Sequence, residues 1–266
     1  GGYKVKTTAE HKFLTFDGGG NFYLKPLSEF REGEHHVLLP TYYNNDNTQD
    51  ILRKDTRQPS KYSHGRKDYA LPKTLTSDLA FLLGVYATDG SRIKDKYTLY
   101  KGLRFAVDGK RKKDLAYLVN LIYKIFGATR SIRKGDGNVI MVELSSVNIA
   151  EFLRFNDLLK ENSYKVFVPE QIFTSPEKVV KAFISGVFFG DGGNRGGKGG
   201  FRLSSVNKKF LEDIQLLLLN LGVPSKLTCQ KRQEWQDLYT LNINGARYMK
   251  RFFDIISQNT EKAYDH

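Results

Sequence analysis

Apolar and polar positions along the chain change period in an order that occurs twice. An apolar run at Leu82-Leu83-Gly84-Val85-Tyr86-Ala87 closes on Thr88-Asp89-Gly90, and a second at Ile184-Ser185-Gly186-Val187-Phe188-Phe189 closes on Gly190-Asp191-Gly192, 102 positions later. Strict alternation follows each run: Leu103, Phe105 and Val107 with Arg104 and Ala106 between them, then Phe201-Arg202-Leu203-Ser204-Ser205-Val206. Helical periodicity resumes at 113–122 and 209–218 and stops at Gly127 and Gly222; a basic strand, a second alternating strand and a short helix complete each copy. The pattern predicts an α+β fold of two αββαββα repeats across roughly 76–262. It divides the chain into a β-rich segment (1–56), a basic linker (57–75), a first repeat (76–170) and a second repeat (171–266). At the second apolar helix, Ser175 is placed to cap, with Pro176 in the first turn and Glu177 as an early acid.

Alternation assigns faces. One face of each sheet is expected to bury against helices, while the other carries Arg104, Arg133, Arg202, Lys226, Gln230 and Arg232. Within the apolar helices, Ala80, Gly84 and Thr88, and again Ala182, Gly186 and Gly190, recur every four residues and line one face with small groups. Two such faces can approach more closely than the ~8–10 Å usual between helix axes. Their C-terminal ends would then set Asp89 and Asp191 side by side. Adjacent carboxylates repel unless a cation lies between them, and an oxygen-preferring divalent ion, Mg²⁺ foremost, resolves that conflict.

Composition changes the picture by naming the partner. The chain has 266 residues, with 42 Lys and Arg against 29 Asp and Glu, a net charge of +13. That excess favours a polyanion, and two pseudo-twofold halves with basic open faces match duplex DNA. Binding should therefore weaken steeply with salt. The expected species is a monomer with an internal pseudo-twofold. Cys229 is the only cysteine, which excludes an intrachain disulfide and a cysteine-rich zinc site and points to a reducing, intracellular compartment, cytoplasmic or nucleoid/nuclear. No signal peptide or membrane-length apolar span is legible. The stretch 192–199 approaches a phosphate-binding loop at Gly192 and Gly197-Lys198. However, it follows a helix and lacks the Ser or Thr at 199, so a basic hairpin tip fits better. Arg92, Lys94, Lys96, Arg195, Lys198 and Lys231 are candidate phosphate contacts, and loop packing is the expected role of Trp235.

The paired segments resemble the LAGLIDADG homing endonucleases in their single-chain, two-motif form, whose motif ends in a catalytic Asp-Gly. The resemblance implies that Asp89 and Asp191 are metal-binding catalytic acids, joined by the Thr88 and Gly190 carbonyls. It further implies two or three Mg²⁺ ions, with Mn²⁺ substituting and Ca²⁺ binding without turnover. Ala87 and Phe189 stand where the family motif carries an earlier acid that is not a metal ligand. A basic residue late in each half is also implied, and Lys165 and Lys262 are the matching positions. The implied activity is a double-strand break in a long DNA site. Two alternatives share the scaffold: a non-cleaving nucleic-acid-binding protein of maturase type, and an intein fragment whose endonuclease is vestigial.

Residues 5–15 resemble an internal block of inteins in which Thr8 and His11 would activate the upstream peptide bond. Turns are expected at 17–20 and 44–47. Without a nucleophile at its start or a terminal His-Asn pair, this chain alone is not expected to splice.

Overall fold

The computed structural model describes residues 3–39, 69–94, 101–128, 130–194 and 199–257. Near the N-terminus, β1 (Lys12–Phe16) and β2 (Phe22–Pro26) form an antiparallel hairpin. Its turn is closed by the Asp17 carboxylate, which accepts from the main-chain nitrogens of Gly19 and Asn21. The turn expected at 44–47 and the basic stretch up to residue 68 lie outside the described residues.

Two halves of identical element order follow. The first runs α1 (Ser77–Asp89), β3 (Gly90–Ile93), β4 (Gly102–Asp108), α2 (Lys112–Phe126), β5 (Ser131–Lys134), β6 (Val139–Leu144) and α3 (Val147–Phe155). After the single turn α4 (Glu170–Phe173), the second runs α5 (Glu177–Asp191), β7 (Gly192–Asn194), β8 (Phe201–Ser205), α6 (Lys208–Asn220), β9 (Lys226–Gln230), β10 (Leu238–Ile243) and α7 (Ala246–Ile256). Each half folds its four strands into an antiparallel sheet of matching order, β3-β4-β6-β5 and β7-β8-β10-β9. Gly127 ends α2 in the left-handed conformation at φ 61°, which glycine adopts without a Cβ clash. The helix starts were less legible. Ser175 does not cap α5: its hydroxyl is buried and donates to the Gln171 carbonyl at 2.7 Å, and Pro176 is the cap residue.

Helices α1 and α5 are apolar through their central turns, and each buries most of its circumference there. Their mutual contact is the most extensive between any two helices or strands. A Cβ on Gly84 would collide with the Phe183 carbonyl and stand 2.8 Å from the Val187 nitrogen; one on Gly186 would collide with the Phe81 carbonyl and stand 3.0 Å from the Val85 nitrogen. The contact is reciprocal at equivalent positions of the two helices. Phe81 and Phe189 close it edge to face at 5.6 Å between ring centroids.

Alanine is the better helix former by about 1 kcal/mol, yet at Gly84 and Gly186 the collision with backbone decides the sign. Gly84→Ala and Gly186→Ala should each lower stability by about 1–3 kcal/mol in urea titrations. Gly193→Ala, whose Cβ would meet nothing nearer than 3.6 Å, should stay within about 0.5 kcal/mol.

Candidate active site

The interlocked helices end together. Asp89 is the last residue of α1 and Asp191 the last of α5, and each chain enters a strand at the next residue. That abrupt exit explains the glycines. A Cβ on Gly90 would strike the Tyr86 main chain, and one on Gly192 would strike the Phe188 ring, so any other residue would push the strand away from the helix. Across the interface Gly190 lies against Thr88, and a Cβ there would stand 3.1 Å from the Asp89 carboxylate. Asp89 is half-buried and Asp191 exposed.

Carboxylates at helix C-termini oppose the helix dipole, and two of them repel each other. Lys160 offsets both effects. Its residue is 5% exposed, and its Nζ donates to the carbonyl oxygens of Ala87 and Thr88, each at 2.8 Å. Burial lowers its pKa to about 8, against the upward pull of the Asp191 and Asp89 carboxylates. Phe189, the counterpart of Ala87 in the second motif, has its carbonyl capped by Arg111 at 3.2 Å. Arg111 is held by the buried Asp114 at 3.0 Å and lies over the Phe189 ring. Both cations come from the first half.

Lys160 is not among the lysines expected from the sequence, yet it feels both acids. Lys165 is exposed, pairing with Glu161 at 2.6 Å in the segment that leads to α4. The lysine-before-proline spacing drew attention to Lys165, whereas Lys160 follows Leu158-Leu159 and reads in sequence as the polar end of an apolar stretch. Burial, visible only in three dimensions, distinguishes them. Lys262 lies outside the described residues.

The donor set fits a hard cation. Carboxylates and main-chain carbonyls are all oxygen, the chemistry of Mg²⁺, Mn²⁺ and Ca²⁺. The Thr88 carbonyl, one of the implied ligands, already accepts from Lys160. Among the described residues no group of three or more His, Cys, Asp or Glu gathers.

On the sheets, directly paired residues share a face. Leu103, Phe105 and Val107 pack inward, while Arg104 faces the open side with Glu143, its partner on β6. Arg133 reaches the same carboxylate. In the second sheet Arg202 and Lys226 both pair with Asn242, and Gln230 lies further along that face opposite Leu238. Lys231 and Arg232 follow β9 in the exposed hairpin, where Lys231 pairs with Asp237. Lys94 is exposed. Arg92 departs from expectation: it is opposite Leu103 on the helix-packed face and is half-buried. Trp235 also departs, for it is 76% exposed at the β9–β10 tip instead of packed in its loop. Lys96, Arg195 and Lys198 fall outside the described residues. Thr8 and His11 adjoin in a turn, the Thr8 carbonyl accepting from the His11 nitrogen at 3.2 Å. No helix among the described residues is long and apolar enough to cross a membrane.

Residues 178–257 match the family described as LAGLIDADG-like domain. The fold is that of the homing endonuclease I-DmoI: one structure from a study of its mesophilic variants aligns at TM-score 0.53 and 22% identity, covering 69% of this chain and 97% of that one. I-DmoI in complex with DNA and Mn aligns at 0.51 and 23% identity, covering 69% and 98%. The second half thus matches the LAGLIDADG-like model, and the fold resembles that of I-DmoI over about two thirds of the chain. Curated relatives include glutamine–fructose-6-phosphate aminotransferase of Methanocaldococcus jannaschii (25% identity, 71% of this chain, 17% of that protein). Elongation factor 2 of Methanopyrus kandleri (23%, 94% and 25%) and the replicative helicase DnaB of Synechocystis (24%, 96% and 27%) also match. The chain thus spans about a sixth to a quarter of the length of these proteins.

Lys160→Met leaves two carbonyls without their donor and the acids without their ammonium. It should cost about 2–3 kcal/mol in urea unfolding. Lys165→Met, which removes only an exposed pair, should cost about 0.5 kcal/mol or less.

Proposed function

We propose that the chain is a site-specific DNA endonuclease that makes a double-strand break by divalent-metal-dependent phosphodiester hydrolysis, and that it descends from an intein. The convergence of Asp89 and Asp191 at the ends of two interlocked helices carries this reading, since it provides one acid per half for a twofold substrate. The basic open faces would lie along the duplex, with Arg104, Arg133, Arg202, Lys226 and Gln230 toward the major groove and Lys94, Lys231 and Arg232 toward phosphate. That I-DmoI has been solved with DNA and Mn, and with DNA and Ca, agrees with such a partner and cofactor.

In this reading the carboxylates of Asp89 and Asp191 would hold the cation. Mg²⁺ bound there would supply charge neutralisation at the attacked phosphate and at the leaving oxygen. The Lys160 ammonium keeps the helix ends and both acids in place, and it adds positive charge beside the phosphate without leaving its carbonyl partners. Arg111 fixes the end of α5 from the opposite side. The protein acts as a monomer, with both acids in one chain.

Intein descent has separate support. An aminotransferase, an elongation factor and a helicase share no activity, yet each contains a stretch similar to most of this chain within a much longer protein. An insert carried by unrelated hosts gives that distribution. The exposed hairpin of β1 and β2, preceded by the Thr8–His11 turn, is then the vestige of the splicing domain.

Incubating the protein with a randomised duplex library tests the activity, with sequencing of ends that appear in Mg²⁺ and not in Ca²⁺. Asp89→Asn and Asp191→Asn should each reduce double-strand cleavage on the order of 10³-fold while leaving affinity nearly unchanged. Full cutting by either variant would remove that carboxylate from the mechanism. Binding without cutting by the parent protein would favour a non-cleaving nucleic-acid-binding protein.

A further inference from the structure

The open face of the first sheet contains a buried acid among its basic groups. Glu143 of β6 is 5% exposed. Its Oε1 accepts from both Nε and Nη2 of Arg104 at 2.8 Å, and its Oε2 lies 3.2 Å from Nε of Arg133 and 3.5 Å from the Ser131 hydroxyl. Arg104 comes from β4 on one side and Arg133 from β5 on the other, so a single carboxylate holds two guanidinium groups in place from the central strand.

A carboxylate in a face that approaches a polyanion works against affinity, so its presence there calls for a structural role. With its Nε and one Nη2 proton spent on Glu143, Arg104 keeps both protons of Nη1 and one of Nη2 for an outside ligand. That end of the fork bonds guanine O6 and N7 bidentately. Arg133 approaches Glu143 through Nε, and with its side chain 71% exposed its terminal nitrogens can reach outward. Each arginine alone could swing to the nearest phosphate, where it would add affinity and read nothing. Tied to Glu143, both are preset to face outward before any ligand arrives.

Among the described residues the second half shows no such acid between arginines. The position opposite Arg202 is Asn242, an amide whose nitrogen donates to the Lys226 and Thr240 carbonyls and the Thr228 hydroxyl. Hydroxyls fill the surroundings, with Ser204 and Thr240 3.0 Å apart.

We propose that Glu143 is a specificity-positioning residue: it locks Arg104 and Arg133 as a paired guanine reader, so that the half-site under the first sheet is read more strictly than the one under the second. This rests on the DNA-binding reading above. Glu143 touches no substrate and acts through the two arginines.

The test is selection of bound duplexes from a randomised library in Ca²⁺, with parent protein, Glu143→Gln, Arg133→Lys and, as a control in the other half, Arg202→Gln. The parent should select sites with guanines at two positions of one half-site. Glu143→Gln should relax both preferences on the order of 10-fold and leave all other positions intact. Its affinity for random duplex should be equal or higher, because a negative charge is gone. Arg133→Lys keeps the charge but not the fork, on a well-exposed side chain, and should relax only one position. Arg202→Gln should alter the other half-site alone. If the parent selects a site and Glu143→Gln selects the same site, or loses preference at every position equally, the positioning role is overturned while DNA recognition stands. If the parent binds no duplex, the recognition reading falls and takes the inference with it.

Discussion

Everything in this molecule is arranged around the backbone-to-backbone approach of α1 and α5 at Gly84 and Gly186. With no Cβ at either position, each helix lies against a main-chain carbonyl of the other, and the reciprocal contact leaves the two halves little freedom to slide. Because both helices end at an aspartate followed by a glycine that turns directly into a strand, the same contact fixes where two carboxylates meet and where two sheets begin. Packing at the middle of the helices thus sets the chemistry at their ends.

That geometry has an electrostatic cost which the fold offsets unevenly. Two acids at two helix C-termini concentrate negative charge, and two cations that compensate it among the described residues, Lys160 and Arg111, belong to the first half. Equivalent positions have diverged in task. Asn207, before α6 where Arg111 precedes α2, donates instead to the Tyr164 and Val166 carbonyls and ties down the segment between the halves. Phe189, the counterpart of Ala87, packs on Phe81 and beneath Arg111. The halves share a backbone plan while their polar residues specialise, and Glu143 against Asn242 continues the same divergence on the open faces.

Features encoded by period were legible in the sequence. The duplicated apolar run, the alternation of Leu103, Phe105 and Val107 with Arg104, and the small residues every four positions follow from backbone geometry that the chain cannot avoid. Element order and the outward placement of Arg104, Arg202, Lys226 and Gln230 could therefore be read directly. Features set by tertiary partners could not. Nothing local separates Lys160 from Lys165; one is buried because α1 ends above it, and the other is not. Glu143 looks like any charged residue in an alternating strand until two arginines from neighbouring strands close on it. Ser175 has the sequence of a cap, but α4 offers its hydroxyl a carbonyl first.

In the proposed reading, Asp89 and Asp191 share one cation-binding site at the helix ends. Anomalous diffraction from Mn²⁺ in crystals of the protein bound to a selected duplex tests it most directly. The account predicts a peak within roughly 2.5 Å of a carboxylate oxygen of both residues. A peak that contacts only one acid, or Mn²⁺ bound elsewhere with both carboxylates bare, would contradict it.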